Sequence, residues 1–181
     1  MSSKQDLLML SLTQFFQIKN NLNKMLKVVY GKSTISLRIL DWFVTNYSKK
    51  HNTSYDLIDK DSSVKKFIVF IDYKSQLKAY SKKQFDPFCR RERISFYDHD
   101  NNEIITTVGQ LNFFRWSIEN NILKYVEENL KIIENDMNNS IRHIYKKDDN
   151  GKKERRKRQE LSVSATKTVN KHNVKIVVKF D

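Results

Sequence analysis

The stretch that decides the fold is residues 94–108, which read ISFYDHDNNEIITTV. Both ends of this stretch, Ile94 to Tyr97 and Glu103 to Val108, are rich in the β-branched and aromatic residues that favour strands. The residues between them are Asp, Asn and His, which favour tight turns. The sequence therefore predicts a β-hairpin and, with it, antiparallel pairing.

Two amphipathic helices are predicted ahead of the hairpin. Over residues 6–29 apolar side chains recur every three or four positions, and Gly31 follows as a residue that can close a helix in a left-handed conformation. A second periodic stretch begins after a capping serine or threonine within 33–36 and ends near Lys50. The polar residues 52–63 indicate a connection with at most one short turn.

Three further segments complete the predicted architecture. Residues 67–71 (FIVFI) are typical of a buried strand, and helical spacing over 108–137 predicts the longest helix, packed on the sheet. The lysine-flanked run 174–178 predicts an edge strand. The predicted fold class is α+β, with two N-terminal helices, a small and mainly antiparallel sheet with a β-hairpin, a long helix, a basic arm and a C-terminal edge strand.

Composition divides the chain into three parts. The length of 181 residues and the 12% of aromatic residues suit one cored domain with a tail. We predict a single α+β domain over 1–145, a basic linker or arm over 146–159, and an extension over 160–181 whose strand rejoins the sheet.

Positive charge is concentrated in two segments. Seven bases and two acids lie between Lys74 and Arg93, and eight bases and three acids lie between Lys146 and Gln159, so each segment carries a net charge of +5. Because these segments supply most of the chain's +13, a polyanion such as DNA or RNA fits as the partner. The predicted nucleic-acid-binding residues are Lys74, Lys78, Lys82, Lys83, Arg90, Arg91, Arg93, Lys152, Lys153, Arg155, Arg156, Lys157 and Arg158.

Aromatic rings lie among the bases of the first segment. Tyr73 and Tyr80 are predicted as platforms on which unpaired bases stack. Phe85 and Phe88 flank Pro87 and are more typical of residues that pin a loop to a core. The second segment, which contains KKERRKR, is also typical of a nuclear import signal or of a solubilising linker.

Catalytic and metal-binding motifs have little support. The four histidines are far apart, and Cys89 is the only cysteine, so neither a zinc site nor an internal disulfide is predicted. Asp72 and Lys74 form a D-x-K fragment of the kind that metal-dependent nucleases use, but no pattern places a second acid beside it. We therefore predict a protein that is not an enzyme and that has no metal and no cofactor.

Three stretches together resemble a viral family. They are residues 73–94 (YKSQLKAYSKKQFDPFCRRERI), 106–123 (TTVGQLNFFRWSIENNIL) and 160–173 (ELSVSATKTVNKHN). These stretches are similar to a small protein family of nucleocytoplasmic large DNA viruses, including mimivirus-like giant viruses. The resemblance implies a viral setting, and it carries no active-site motif.

The predicted function is that of a non-catalytic nucleic-acid-binding accessory protein with two phosphate-contacting basic patches. The alternative is a virion structural or adaptor protein that docks a viral protein partner through an aromatic surface. Apolar runs are shorter than the ~20 residues of a membrane span, and Met1 to Asp6 lack the pattern of a signal peptide, which predicts a non-membrane, non-secreted protein. The resemblance to the viral family implies the host cytoplasm, virus factory, nucleus or virion as its location. The sequence leaves the oligomeric state open.

Overall fold

The structure describes most of the chain up to the start of the basic arm. The computed structural model covers residues 4–58, 61–98 and 100–146. The residues up to Arg142 form one compact unit. Within the described ranges, none of the helices has the length and apolar character that crossing a bilayer requires. The basic arm, apart from Lys146, and the C-terminal strand lie outside the described residues, so the three-part division stays a prediction.

Two helices occupy the first stretch, which was predicted as a single helix. They are α1 (Lys4–Phe16) and α2 (Lys19–Val29). Ile18 separates them with an extended backbone (φ −76°, ψ 107°), and Asn21 Nδ2 donates a hydrogen bond to the Phe15 carbonyl at 3.1 Å. The single-helix prediction is wrong because the apolar spacing continues across this break.

The end of α2 and the start of the next helix follow the predicted signals. Gly31 has a φ of +67°, and the N–H of Lys32 donates to the Lys27 carbonyl at 2.8 Å. This Schellman arrangement satisfies a carbonyl at the helix end. Ser36 caps the next helix, because its Oγ accepts a hydrogen bond from the Ile39 N–H at 3.2 Å.

The second helical stretch contains a π-helical turn. It consists of α3 (Leu37–Trp42), the π-helical turn Phe43–Tyr47 and α4 (Ser48–Lys50). Phe43 and Val44 are fully buried, so this turn packs into the core. The prediction of a helix that follows a cap within 33–36 and ends near Lys50 is confirmed.

Two separate antiparallel hairpins form among the described residues, instead of the one predicted sheet. They pair β1 (Ser54–Ile58) with β2 (Val64–Ile68), and β3 (Ile94–Tyr97) with β4 (Glu103–Thr106). The hairpin prediction for 94–108 is confirmed, although its second strand ends at Thr106. The connection predicted over 52–63 is wrong, since Tyr55 of β1 packs against Phe67 of β2 with ring centroids 5.4 Å apart.

A helix begins inside the segment that was predicted as a buried strand. Strand β2 ends at Ile68, and α5 (Val69–Tyr80) starts at the next residue. The strand prediction for 67–71 is therefore wrong from Val69 onward. Val69 and Tyr73, four residues apart, are both buried, so packing at helical spacing overrides the β propensity of the apolar run.

Three helices replace the single long helix predicted after the second hairpin. They are α6 (Val108–Glu119), α7 (Ile122–Glu128) and α8 (Leu130–Lys146). Asn121 adopts a left-handed backbone with φ +54°. The side-chain amides of Asn120 and Asn129 donate to the carbonyls of Trp116 and Tyr125 at 2.8 and 2.9 Å. These local contacts end α6 and α7. The α+β class is confirmed.

Asp136 ties α8 to the first half of the chain. Its carboxylate accepts hydrogen bonds from Trp42 Nε1 at 3.1 Å and from Lys50 Nζ, and His51 Nε2 lies 3.5 Å away. Burial raises the pKa of Asp136, but the hydrogen bonds outweigh burial and hold the pKa below its usual 3.8.

We expect Asp136→Asn to lower the free energy of unfolding by about 1 kcal/mol at neutral pH, because the Lys50 side chain is 59% exposed and water screens the pair. A lowered pKa means that the ionised carboxylate stabilises the fold above pH 3.8 and that this benefit disappears as the pH falls through the folded-state value. Urea denaturation at neutral pH and at about pH 2.5 measures the difference in free energy of unfolding between the native chain and the variant. A difference that persists in acid would contradict this explanation.

Candidate nucleic-acid interface

The first basic segment lies on the outer side of α5 and on the loop that follows it. We call residues 81–93 the basic loop. Ser81 ends α5 with a φ of +56°, which turns the chain out of the helix. Lys74 and Lys78 are exposed on α5, one turn apart. The exposed cations of the basic loop are Lys82, Lys83, Arg90, Arg91 and Arg93.

Buried amide side chains of α6 hold the basic loop in place. Asn112 Nδ2 donates to the Gln84 carbonyl at 2.9 Å, and Gln110 Nε2 donates to the Pro87 carbonyl at 2.9 Å. Gln110 is 1% exposed, and its Oε1 accepts a hydrogen bond from Thr106 Oγ1 at 2.9 Å. Because these groups are buried and paired, they fix the loop backbone at both positions.

Gly109 lets the basic loop approach α6 closely. A Cβ atom at this position would lie 3.1 Å from the Lys83 carbonyl oxygen and 3.3 Å from the Phe85 nitrogen. The Asp86 N–H donates to the Gly109 carbonyl at 3.2 Å. Both crowded neighbours are backbone atoms, so any larger residue would push the loop away from the helix.

Phe85 pins the basic loop to the core. Its side chain is 1% exposed, and its ring centroid lies 5.3 Å from those of Phe113 and Trp116. The interpretation of Phe85 as a loop anchor is confirmed. Phe88 is half-buried and carries the Arg90 guanidinium 4.5 Å above its ring centroid.

The two tyrosines predicted as stacking platforms are not equally accessible. Tyr73 is 6% exposed and packs against Phe85 and Trp116, and burial raises its pKa to about 12. The structure therefore removes Tyr73 from the candidate stacking residues, because a buried ring offers no face to a base. Tyr80 is half-buried, with its ring 6.5 Å from that of Phe85 and nearly parallel to it.

Arg90 differs from the other cations of the segment. Its guanidinium donates two hydrogen bonds to the Asp86 carboxylate at 3.0 and 2.8 Å. The Asp86 side chain is only 6% exposed, whereas that of Arg90 is 62% exposed. Over the described ranges, this pair is the only salt bridge of residues 74–93. The cations without a carboxylate partner there are Lys74, Lys78, Lys82, Lys83, Arg91 and Arg93.

Asp41 of α3 places a second carboxyl near this pair. Burial raises the pKa of Asp41; Arg90 opposes the rise, Asp86 adds to it, and Lys82 opposes it. Asp41 therefore takes up a proton at a higher pH than an ordinary aspartate does. As the pH falls, the surface beside it therefore becomes more positive sooner than it would beside an ordinary aspartate.

The aspartate of the D-x-K fragment is engaged by a side chain of α6. Asp72 lies in the first turn of α5, and its Oδ1 accepts a hydrogen bond from Trp116 Nε1 at 2.6 Å. Across the described ranges there is no group of three or more His, Cys, Asp or Glu residues that could hold a metal ion. The half-buried Asp72 therefore serves as the acceptor for the N–H of the buried Trp116 indole. Cys89 is half-buried.

The arm residues predicted to contact nucleic acid lie outside the described residues. They are Lys152, Lys153, Arg155, Arg156, Lys157 and Arg158. Their role stays a prediction.

The sequence prediction missed the residues that position the loop. Gln110 and Asn112 are polar residues on a helix that otherwise buries apolar side chains, and both are 1% exposed. A buried amide needs partners, and backbone carbonyls of an irregular segment are the usual ones. The polar residues in TTVGQLN, together with its glycine, were the signal that α6 packs against a loop.

Comparison with known proteins identifies the family. The model of a family of unknown function (DUF7197) matches residues 1–174. The chain belongs to this family. It is similar to Uncharacterized protein L507 of Acanthamoeba polyphaga mimivirus, with 46% identity over 145 residues that cover 77% of this chain and 54% of that protein. The chain thus spans about half the length of this curated relative, and the resemblance to a giant-virus family is confirmed. No solved structure matches the chain.

Proposed function

We propose that this DUF7197 chain is a non-catalytic accessory protein that binds nucleic acid through phosphate contacts. The observation that carries the proposal is the set of six cations of α5 and the basic loop that have no carboxylate partner within the described residues. Exposed cations held close together repel one another unless an anion lies between them. A phosphate backbone supplies such anions at regular spacing.

The way the basic loop is held supports a binding surface rather than a mobile tail. Gln110, Asn112 and Phe85 fix its backbone to α6 and the core. Fixed cations lose less conformational freedom when they bind than cations on a mobile segment do. Since Tyr73 is buried, we propose that phosphate contacts dominate and that binding depends little on base sequence.

A salt titration of the full chain tests this proposal. If about six phosphates are neutralised, the logarithm of affinity for duplex DNA should fall with the logarithm of salt concentration at a slope near −5. Substitution of Lys74, Lys78, Lys82 and Lys83 by alanine should make the slope shallower by about 3.6. Fluorescence anisotropy with duplex and single-stranded DNA and RNA measures both quantities.

The matched control removes four exposed lysines elsewhere. They are Lys19, Lys32, Lys65 and Lys131. This control changes the net charge equally and should leave the slope within about one unit of the native value. Replacing the bases of 152–158 by glutamine in the full chain then measures how much of the salt slope the basic arm contributes. A slope near zero, or no binding at low salt, would remove the proposal.

An adaptor role is the second candidate, and exposed aliphatic side chains favour it. Ile58 and Val64 pair across the first hairpin and are 76% and 65% exposed, and Ile71 at the start of α5 is 61% exposed. A surface of this kind suits a protein partner. The predicted aromatic surface receives less support, since most rings of the described residues are buried or half-buried. An adaptor complex should survive high salt, whereas a nucleic-acid complex should not.

The proposed place of action follows from the family. We propose that the chain acts at viral DNA or RNA, in the virus factory or nucleus of the infected cell or in the virion, and the similarity to a mimivirus protein supports this setting. Fractionation of infected cells with and without nuclease treatment tests this: a chain that stays in the same fraction after nuclease treatment would argue against it.

A further inference from the structure

A cavity of about 370 Å³ is lined by residues that belong neither to α5 nor to the basic loop. Helix α2, the connection before α3, the end of α6 and α7 line it. The volume falls within the range of pockets that hold small ligands. The lining residues used below are Lys24, Lys27, Lys124, Glu127, Ser117, Val28, Ile35, Ile118 and Leu123.

Ser117 is the feature of this cavity that points to a ligand. Ser117 is fully buried, and its side-chain Oγ has no hydrogen-bond partner among the described residues. Two other helical serines donate to the carbonyl four residues earlier, Ser48 to Val44 and Ser75 to Ile71, both at 3.1 Å. A buried hydroxyl without a partner is unfavourable, so an unpaired one beside a cavity indicates a group that enters the cavity.

The charges around the cavity select an anion. Lys24 and Lys27 lie one turn apart on α2, Lys124 lies on α7, and Glu127 is the only carboxylate of the lining. Lys124 has a distant and exposed partner in Glu128, at 3.9 Å, which holds it weakly. Lys24 and Lys27 form no salt bridge within the described part of the chain. Three ammonium groups around one opening suit a doubly charged group such as phosphate better than a single carboxylate.

The apolar part of the lining indicates which chemical group the rest of the ligand carries. Val28, Ile35, Ile118 and Leu123 are all aliphatic, and the lining contains no aromatic ring. Inorganic phosphate alone would leave this surface unfilled. An aliphatic body would bury it, whereas a nucleobase would find no ring on which to stack.

We propose that this cavity binds a small organic phosphate, with its phosphate at Lys24 and Lys27, its body on the aliphatic lining and a polar atom at the Ser117 hydroxyl. The proposal is independent of nucleic-acid binding, because the lining shares no residue with α5 or the basic loop.

Calorimetric titration of the full chain compares four probes: hexyl phosphate, adenosine monophosphate, inorganic phosphate and hexanol. Hexyl phosphate should bind about tenfold more tightly than inorganic phosphate or hexanol, since it uses both halves of the site. If adenosine monophosphate binds more tightly than hexyl phosphate, the ligand is still an organic phosphate, but its body is a nucleoside and not an aliphatic chain. Failure of both organic phosphates to exceed inorganic phosphate would overturn the proposal.

Paired substitutions locate the binding. Lys24→Ala with Lys27→Ala should weaken hexyl phosphate about tenfold or more. The matched control, Lys19→Ala with Lys32→Ala, should not, because neither residue lines the cavity. Ser117→Ala should weaken binding about threefold while leaving the melting temperature unchanged or higher, because it removes an unpaired hydroxyl. Equal effects of the two lysine pairs would overturn binding at this cavity, and native affinity in Ser117→Ala would overturn the proposed contact with the Ser117 hydroxyl.

Discussion

Replacing Phe85 by alanine should lower the free energy of unfolding by about 3–5 kcal/mol, the range for a large ring removed from a packed core. The ring is 1% exposed, with Phe113 and Trp116 5.3 Å away and Tyr73 6.0 Å away. The backbone on either side of the ring is held against Gly109, because the Asp86 N–H donates to the Gly109 carbonyl at 3.2 Å, which limits how far the loop can collapse into the space left by the ring. The loss is a large part of the 5–15 kcal/mol that holds a typical domain together.

Urea denaturation of the native chain, of Phe85→Ala and of Phe85→Leu measures this loss. The leucine variant should lose less, because it keeps part of the buried surface. Tyr97→Ala is the control: Tyr97 is 59% exposed, so its loss should be within about 0.5 kcal/mol of zero. A loss below about 1 kcal/mol in Phe85→Ala would contradict the anchoring role.

The same variant separates the position of the cations from their number. Phe85→Ala keeps every charge of residues 74–93 but removes the anchor of the basic loop. If the fixed surface matters, affinity for nucleic acid should fall even under conditions where the variant stays folded. Unchanged affinity would indicate that binding depends on the number of cations and not on their fixed positions.

Local signals in the sequence were enough to predict the end of α2, the start of α3 and one hairpin. Gly31 and Ser36 form the predicted caps, and the Asp/Asn-rich turn joins β3 to β4. These signals act over a few residues, so no distant contact is needed to interpret them. The break at Asn121 was missed because it depends on side-chain amides that compete with the helix while the apolar spacing stays regular.

The boundary between β2 and α5 required information that the sequence does not show locally. The apolar run over 67–71 has strand propensity along its whole length. Val69 and Tyr73 are buried together as helical neighbours, and Tyr73 meets Phe85 and Trp116, which are distant in the chain. Tertiary packing of this kind decided both where the strand ends and which tyrosine is buried.

In the candidate site, too, some features could be predicted from the sequence and others depend on the folded structure. The clustering of cations between Lys74 and Arg93 is visible in the sequence, and six of the seven have no carboxylate partner in the described part of the chain. The partner of Arg90 was not predicted, because Asp86 is one of two acids in the segment and only folding shows that it is buried. The cavity beside Ser117 could not be predicted from a sequence motif, because its lining residues come from four separate elements.

Asp86→Asn should weaken the fold and strengthen nucleic-acid binding. Asp86 Oδ1 accepts a hydrogen bond from the Phe88 N–H at 3.2 Å, which asparagine can keep. The asparagine Nδ2 cannot accept the hydrogen bond from Arg90 Nε, and the bond that Arg90 Nη2 donates to Oδ1 loses its charged acceptor. Hydrogen bonds to charged groups contribute about 1.5–3 kcal/mol, and the exposure of Arg90 favours the lower end. The freed guanidinium then becomes available to a phosphate, and the salt slope should steepen by up to about 0.9.

Glu92→Gln is the matched control for this prediction. Glu92 is the other acid of the segment and is exposed, so the substitution changes the charge equally without freeing Arg90. Its free energy of unfolding should stay within about 0.5 kcal/mol of the native value, and its salt slope should not change. Weaker binding by folded Asp86→Asn would instead mean that Asp86 orients Arg90 for its phosphate, because a guanidinium gripped by a buried carboxylate still has N–H groups directed outward.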